Sequence, residues 1–227
     1  MKYSDTISID ETIDLINAFL HAERIGLPLT VGLVITWNKT DHWKDEFLKE
    51  RRSKFLDNVR HWMIRRHIPR AYIWTMENSK SMKLHSNFMI HVPRKRFWDF
   101  VRALPILIPH YSGNPATYKV ISDNGESTPK FLYHLSHRKG FLKYCGKGMD
   151  HAATFTDPNG TILNIGDALG IQHRGAQGRV LGPRIGISHS LASTARSKGG
   201  SDETDFLALG SLIAIPSRAP EASGEAA

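Results

Sequence analysis

One cysteine, Cys145, in a chain of 227 residues leaves no partner for an internal disulfide and no second thiolate for a zinc site. Any bound metal must therefore use His, Asp, Glu or Asn side chains. No apolar run approaches the roughly 20 residues that span a bilayer, and Met1-Lys2-Tyr3-Ser4-Asp5 leads into an acidic polar stretch with no signal-peptide core. A soluble, cytoplasmic protein without membrane contact is the expectation. The glycine-rich phosphate loop of NTP-driven motors is missing, so none is expected on this chain. Internal repeats are missing too.

Hydrophobic residues make up 41% and charged residues 23%, the balance of a globular protein, and the length favours one domain with an extra segment or tail. The net charge of +8 is unevenly spread: residues 1–29 carry −3, 30–150 carry +12, 151–200 carry +3 and 201–227 carry −4. A basic middle between acidic ends points to a polyanion, above all nucleic acid, because Lys and Arg contacts to phosphate release counterions. Charge alone does not separate DNA from RNA.

Ser8-Ile9-Asp10-Glu11 is a capping-box pattern, and Ile13, Leu15, Ile16, Phe19 and Leu20 recur behind it at helical spacing. The β-branched run 30–37 reads as a buried strand. A long helix is expected over 44–66, with Phe47, Leu48, Phe55, Leu56, Val59, Trp62 and Met63 in one stripe and Arg51 and Arg52 largely off it. Stretches 71–77 and 84–92 read as an antiparallel hairpin, 94–107 as a helix that Pro105 shortens, and 118–121 as a fourth strand. The order β-α-β-β-α-β predicts an α+β, ferredoxin-like (RRM-like) antiparallel sheet with helices on one face and the other face open. Helical turns carrying Tyr133 and Tyr144 follow. The expected organisation is an N-terminal helix (1–29), a central domain (30–150), a basic Gly-rich extension (151–216) and a disordered tail (217–227).

Strand alternation puts His85, Asn87, Met89 and His91 on one face and Leu84, Ser86, Phe88, Ile90 and Val92 on the other. His85 and Asn87 are near enough to converge on one ion, and the hairpin returns Glu77 to them. A carboxylate, an amide oxygen and one imidazole suit Mg²⁺ or Mn²⁺ better than zinc. His91 lies about 20 Å along the strand from His85 and stays outside that site; it reads as a structural histidine or a phosphate contact.

Glu77 followed by His85-Ser86-Asn87 and the apolar Phe88-Met89-Ile90 resembles the metal motif of HUH-type rolling-circle replication initiators, with Asn87 where the second histidine stands. Val34-Ile35-Thr36-Trp37 is similar to the first motif of that family, and Tyr144-Cys145-Gly146-Lys147 to its Tyr-x-x-Lys nucleophile motif. The offset of three residues puts the Tyr144 phenol and the Lys147 ammonium on one helix face. The resemblance implies a single-tyrosine endonuclease of a plasmid or phage-like element. In it, Glu77, His85 and Asn87 hold Mn²⁺ or Mg²⁺ and Tyr144 attacks a phosphate of single-stranded origin DNA. Lys147 stabilises charge, and a host helicase and DNA polymerase are the implied partners. Thr36, Trp37, His91, Arg179 and Arg184 are the candidate DNA contacts. A transposase with the same chemistry is a variant of this reading. Its rival is a non-enzymatic module that binds single-stranded DNA or RNA on the open sheet face.

Overall fold

The computed structural model describes residues 3–37, 45–80, 83–109, 116–121, 128–156, 160–171 and 177–198. A two-residue strand, β1 (Tyr3–Ser4), precedes helix α1 (Ile9–Arg24), whose capping box forms as the sequence predicts: Ser8 Oγ accepts from Glu11 N, and Glu11 Oε2 accepts from Ser8 N. Strand β2 (Val31–Thr36), helix α2 (Asp45–Ile64), the hairpin β3 (Tyr72–Ser79) and β4 (Lys83–Ile90), helix α3 (Phe97–Leu107) and strand β5 (Thr117–Val120) follow in the expected order. Pro105 does not stop α3, since in the last turn its missing N–H forfeits a single bond, to the Val101 carbonyl.

Helix α4 (Leu135–Cys145) runs straight into a 3-10 turn, Gly146–Gly148. The hairpin β6 (Thr154–Thr156) and β7 (Ile162–Asn164), helix α5 (Ile165–Leu169), strands β8 (Val180–Leu181) and β9 (Ile185–Ile187) and helix α6 (Ser193–Lys198) complete the described chain. The central sheet is antiparallel throughout, in the order β5-β2-β4-β3-β9, and fits an α+β ferredoxin-like sheet with a fifth strand added beside β3. That fifth strand comes from the Gly-rich stretch. Gly186 permits it: a Cβ there would lie 2.2 Å from the Trp74 ring on the neighbouring strand.

One face of the sheet packs on α2 and α3 through Leu33, Ile35, Trp37, Phe55, Val59, Trp62, Phe88 and Phe100. The stripe of α2 differs from the expected one. Phe47 is 48% exposed, whereas Arg51 is fully buried and Arg52 nearly so. Arg51 donates to the carbonyls of Trp37 and Pro109, and Arg52 lies 3.9 Å over the Trp74 ring, its pKa lowered to about 10 by burial.

The second face is not open. Leu15, Ile16 and Phe19 of α1 and Phe141 and Leu142 of α4 cover it, packing with Val34, Ile73 and Met89 of the strands. Close contact is possible over β2 because Gly32 carries no side chain; a Cβ there would come within 2.9 Å of Phe141. Two devices fix α4. Arg138 makes a bidentate pair with Glu23 of α1 at 2.8 and 2.7 Å, and Ile7 bridges the backbone at Gly148 and Asp150 just beyond the helix.

Candidate active site

Cross-strand register lays two rows of side chains on the face beneath α1 and α4. Thr117, Thr36, His85 and Glu77 are paired in one row; Lys119, Val34, Asn87, Thr75 and Ile185 in the next. Residues directly opposite one another in an antiparallel sheet share a face, so the alternation read from the sequence holds. Thr117 and Lys119 are exposed at the β5 end, Thr36 is half-buried, and Glu77, His85 and Asn87 are fully buried. The rows therefore run from solvent at the β5 edge into the interior.

Glu77 is the hub. Its Oε1 accepts from Asn87 Nδ2 at 3.0 Å, and its Oε2 lies 3.1 Å from His85 Nε2 and 2.9 Å from Lys147 Nζ. The two contacts to Oε2 are close enough for ion pairing but lie off the hydrogen-bonding directions, so Glu77 Oε2 and His85 Nε2 remain without a hydrogen bond, as does Asn87 Oδ1. His85 is oriented by its Nδ1, 2.8 Å from the Lys83 carbonyl. The Lys147 ammonium also sits 3.4 Å over the Tyr144 ring. One lysine thus joins the tyrosine of α4 to the carboxylate of β3.

Two neighbours of this cluster escape the sequence reading. Thr75 Oγ1 accepts from Asn87 Nδ2 at 3.2 Å; it lies two residues before Glu77, and strand alternation alone puts it on the same face. Cys145, beneath the site, is buried, and burial and the Glu77 charge push its pKa well above the thiol range. Arg184 is also close enough to feel Glu77: burial lowers its pKa and that carboxylate pulls it back up.

Three buried polar atoms without hydrogen bonds, on Glu77, His85 and Asn87, form a donor set of two oxygens and one imidazole nitrogen that fits a hard divalent ion in chemical type. Among the described residues, no three His, Cys, Asp or Glu side chains group into a metal site, so an ion here would lean on the Asn87 amide. The Lys147 ammonium already neutralises the carboxylate such an ion would need.

Three of the expected DNA contacts lie elsewhere. Trp37 is fully buried on the opposite face, donating from Nε1 to Ser86 Oγ at 2.8 Å, because an indole after a central strand falls naturally into the α2 core. His91 is nearly buried, its Nδ1 2.9 Å from the Pro28 carbonyl, and burial lowers its pKa. It is a structural histidine. Arg184 is fully buried, its guanidinium taken up by the carbonyls of Ser4 and Gly178, and it ties β1 to the turn before β9. Arg179 remains exposed, 4.9 Å over the Tyr3 ring and 3.5 Å from Asp5. Thr36 sits in the site row. Tyr133 is 62% exposed before the start of α4, at the opposite end of that helix from Tyr144.

No helix among the described residues is long and apolar enough to cross a membrane. Compared with models of known families, with characterised proteins and with solved structures, the chain matches none.

Proposed function

We propose that this chain nicks and rejoins single-stranded DNA with Tyr144 as nucleophile, as an initiator of rolling-circle replication or a transposase of the same chemistry. The observation that carries the reading is the convergence of two distant sequence features on Lys147. Glu77 with His85 and Asn87 comes from the β3–β4 hairpin, the tyrosine comes from α4, and Lys147 touches both. Helix α4 is fixed over the strands by Gly32 and by the Arg138–Glu23 pair, which gives that arrangement a rigid footing.

A free phenol titrates near pH 10 and attacks phosphorus poorly unless nearby positive charge offsets the charge that develops in the transition state. In the proposed step the phenol oxygen forms a bond to phosphorus as the bond to the 3′ oxygen breaks. The phenol loses its proton and the leaving oxygen gains one. One phosphodiester is exchanged for a 5′-phosphotyrosine, so attack by a DNA 3′-hydroxyl reverses the step. Lys147 supplies positive charge beside the Tyr144 ring. Glu77, His85 and Asn87 would hold Mn²⁺ or Mg²⁺, which when bound adds Lewis-acid polarisation of the phosphate. Thr117 and Lys119, exposed at the β5 edge, stand on the same sheet face as the row that holds them.

A binding module without chemistry is the alternative, and the neutralisation of Glu77 by Lys147 favours it. The sheet face on which such a module would stack bases is covered by α1 and α4. The test is incubation with end-labelled single-stranded DNA and Mn²⁺ followed by a denaturing gel. Cleaved strand is expected from the wild type, and intact strand from a protein that only binds.

A further inference from the structure

Outside the buried cluster, aromatic and imidazole rings line one side of α4. Tyr133, His134 and His137 are all exposed, yet their rings are not scattered: Tyr133 and His134 meet edge to face at 5.3 Å, and so do His134 and His137. One turn further on, Phe141 and Tyr144 stack with centroids 5.7 Å apart and planes 15° from parallel. The spacing 134, 137, 141, 144 is that of one helix face, about 15 Å from end to end. A cation closes each end, Arg94 at 5.5 Å over Tyr133 and Lys147 at 3.4 Å over Tyr144.

Between these rings lies an open cavity of about 250 Å³ lined by Ile121, Leu132, His137, Gly140, Phe141 and Tyr144. It is smaller than the roughly 300–1,000 Å³ of pockets for drug-sized ligands, a size for one planar ring. Apolar walls with an imidazole at the rim accept the face of a nucleobase and still offer an edge contact. Tyr133, His134 and His137 offer exposed ring faces on which unpaired bases stack regardless of sequence, and the exposed Arg94 at the Tyr133 end matches a phosphate backbone.

We infer that this ring ladder is a track for single-stranded DNA, with one base entering the cavity beside Tyr144. The inference rests on the nicking proposal for its choice of DNA, and it names the surface that would deliver the strand to the tyrosine. Duplex DNA does not fit, because its base faces are already stacked.

The test is fluorescence anisotropy with a labelled oligothymidylate of about 15 nucleotides, without metal, on the full chain. Gly140 is helical, so Gly140→Leu adds volume to the cavity without backbone strain, and circular dichroism checks that the fold survives. Gly140→Leu and Tyr133→Ala are each expected to weaken binding about ten-fold, within the range for one stacked base. An abasic oligonucleotide should lose a similar factor on the wild type and add little to Gly140→Leu. Binding within two-fold of wild type for both variants, or indifference to abasic sites, would overturn the ladder. An oligouridylate that binds more tightly with the same dependence would overturn the assignment to DNA. Ladder-dependent binding without any covalent adduct would sink the nicking proposal alone, whereas an adduct without ladder dependence would sink the ladder alone.

Discussion

Lys147→Met probes the hub of the site directly. The side chains of Lys147 and Glu77 are 7% and 0% exposed, and their charged atoms are 2.9 Å apart, so solvent screening offers little relief when one is removed. Breaking a buried ion pair from one side typically costs about 3–5 kcal/mol, because the remaining charge keeps its desolvation penalty. His85 and Asn87 still contact Glu77, which points to the lower end, about 3 kcal/mol. For a chain of this size that is a melting temperature lower by about 6–12 °C. Glu77→Gln removes the other charge, and the double variant leaves neither. The assay is a thermal melt of wild type, both single variants and the double variant. The double variant should lose well less than the sum of the single losses, with a coupling of at least about 1 kcal/mol. A Lys147→Met protein that melts within 1 °C of wild type, or strictly additive losses, would refute the pairing and remove the link between tyrosine and carboxylate.

Asn87→His supplies a second imidazole, so Mn²⁺ should raise the melting temperature of the variant at lower concentration than it does for wild type; equal or weaker stabilisation would argue against a metal at Glu77, His85 and Asn87. Gly186→Ala places a methyl group against the Trp74 ring and should destabilise by about 1–3 kcal/mol in a denaturant titration, an unchanged midpoint contradicting the close approach of β9. His91 has its pKa lowered by burial, so below the unfolded value near 6.5 the unfolded chain takes up a proton that the folded chain resists. Stability should therefore be full above about pH 6.5 and fall on acidification, and His91→Gln should flatten that fall in melts between pH 5 and 8.

Much of the frame was legible because period-two and helical patterns are local. The alternation in β4 assigned Phe88 and Ile90 to one core and His85 and Asn87 to the other side, and the capping box at Ser8 marked the start of α1. What covers a sheet face is not local. Nothing in Ile13 to Leu20 says that α1 docks over β3 and β9, so the sequence alone leaves that face open. Charge misled for a related reason. Lys147 and the guanidinium groups of Arg51, Arg52, Arg138, Arg184 and Arg196 are buried, because long aliphatic stems pack like apolar residues while their heads find carbonyls or acids inside or, for Arg52, the Trp74 ring. The positive charge counted along the chain therefore overstates the charge at its surface. The Glu77, His85 and Asn87 cluster was readable from hairpin register, whereas the Lys147 contact to Glu77 depends on where α4 ends above the strands.

Mass spectrometry of the protein after incubation with single-stranded DNA of randomised sequence and Mn²⁺ tests the central claim most directly. DNA labelled at its 3′ end marks the fragment that stays on the protein, and nuclease trimming followed by peptide mapping locates the attachment. The account predicts a 5′-phosphodeoxynucleotide on the Tyr144 peptide that disappears in Tyr144→Phe, while DNA binding by that variant stays within a few-fold. A nucleotide on Tyr133 instead, or cleavage by Tyr144→Phe at the wild-type rate, would contradict it.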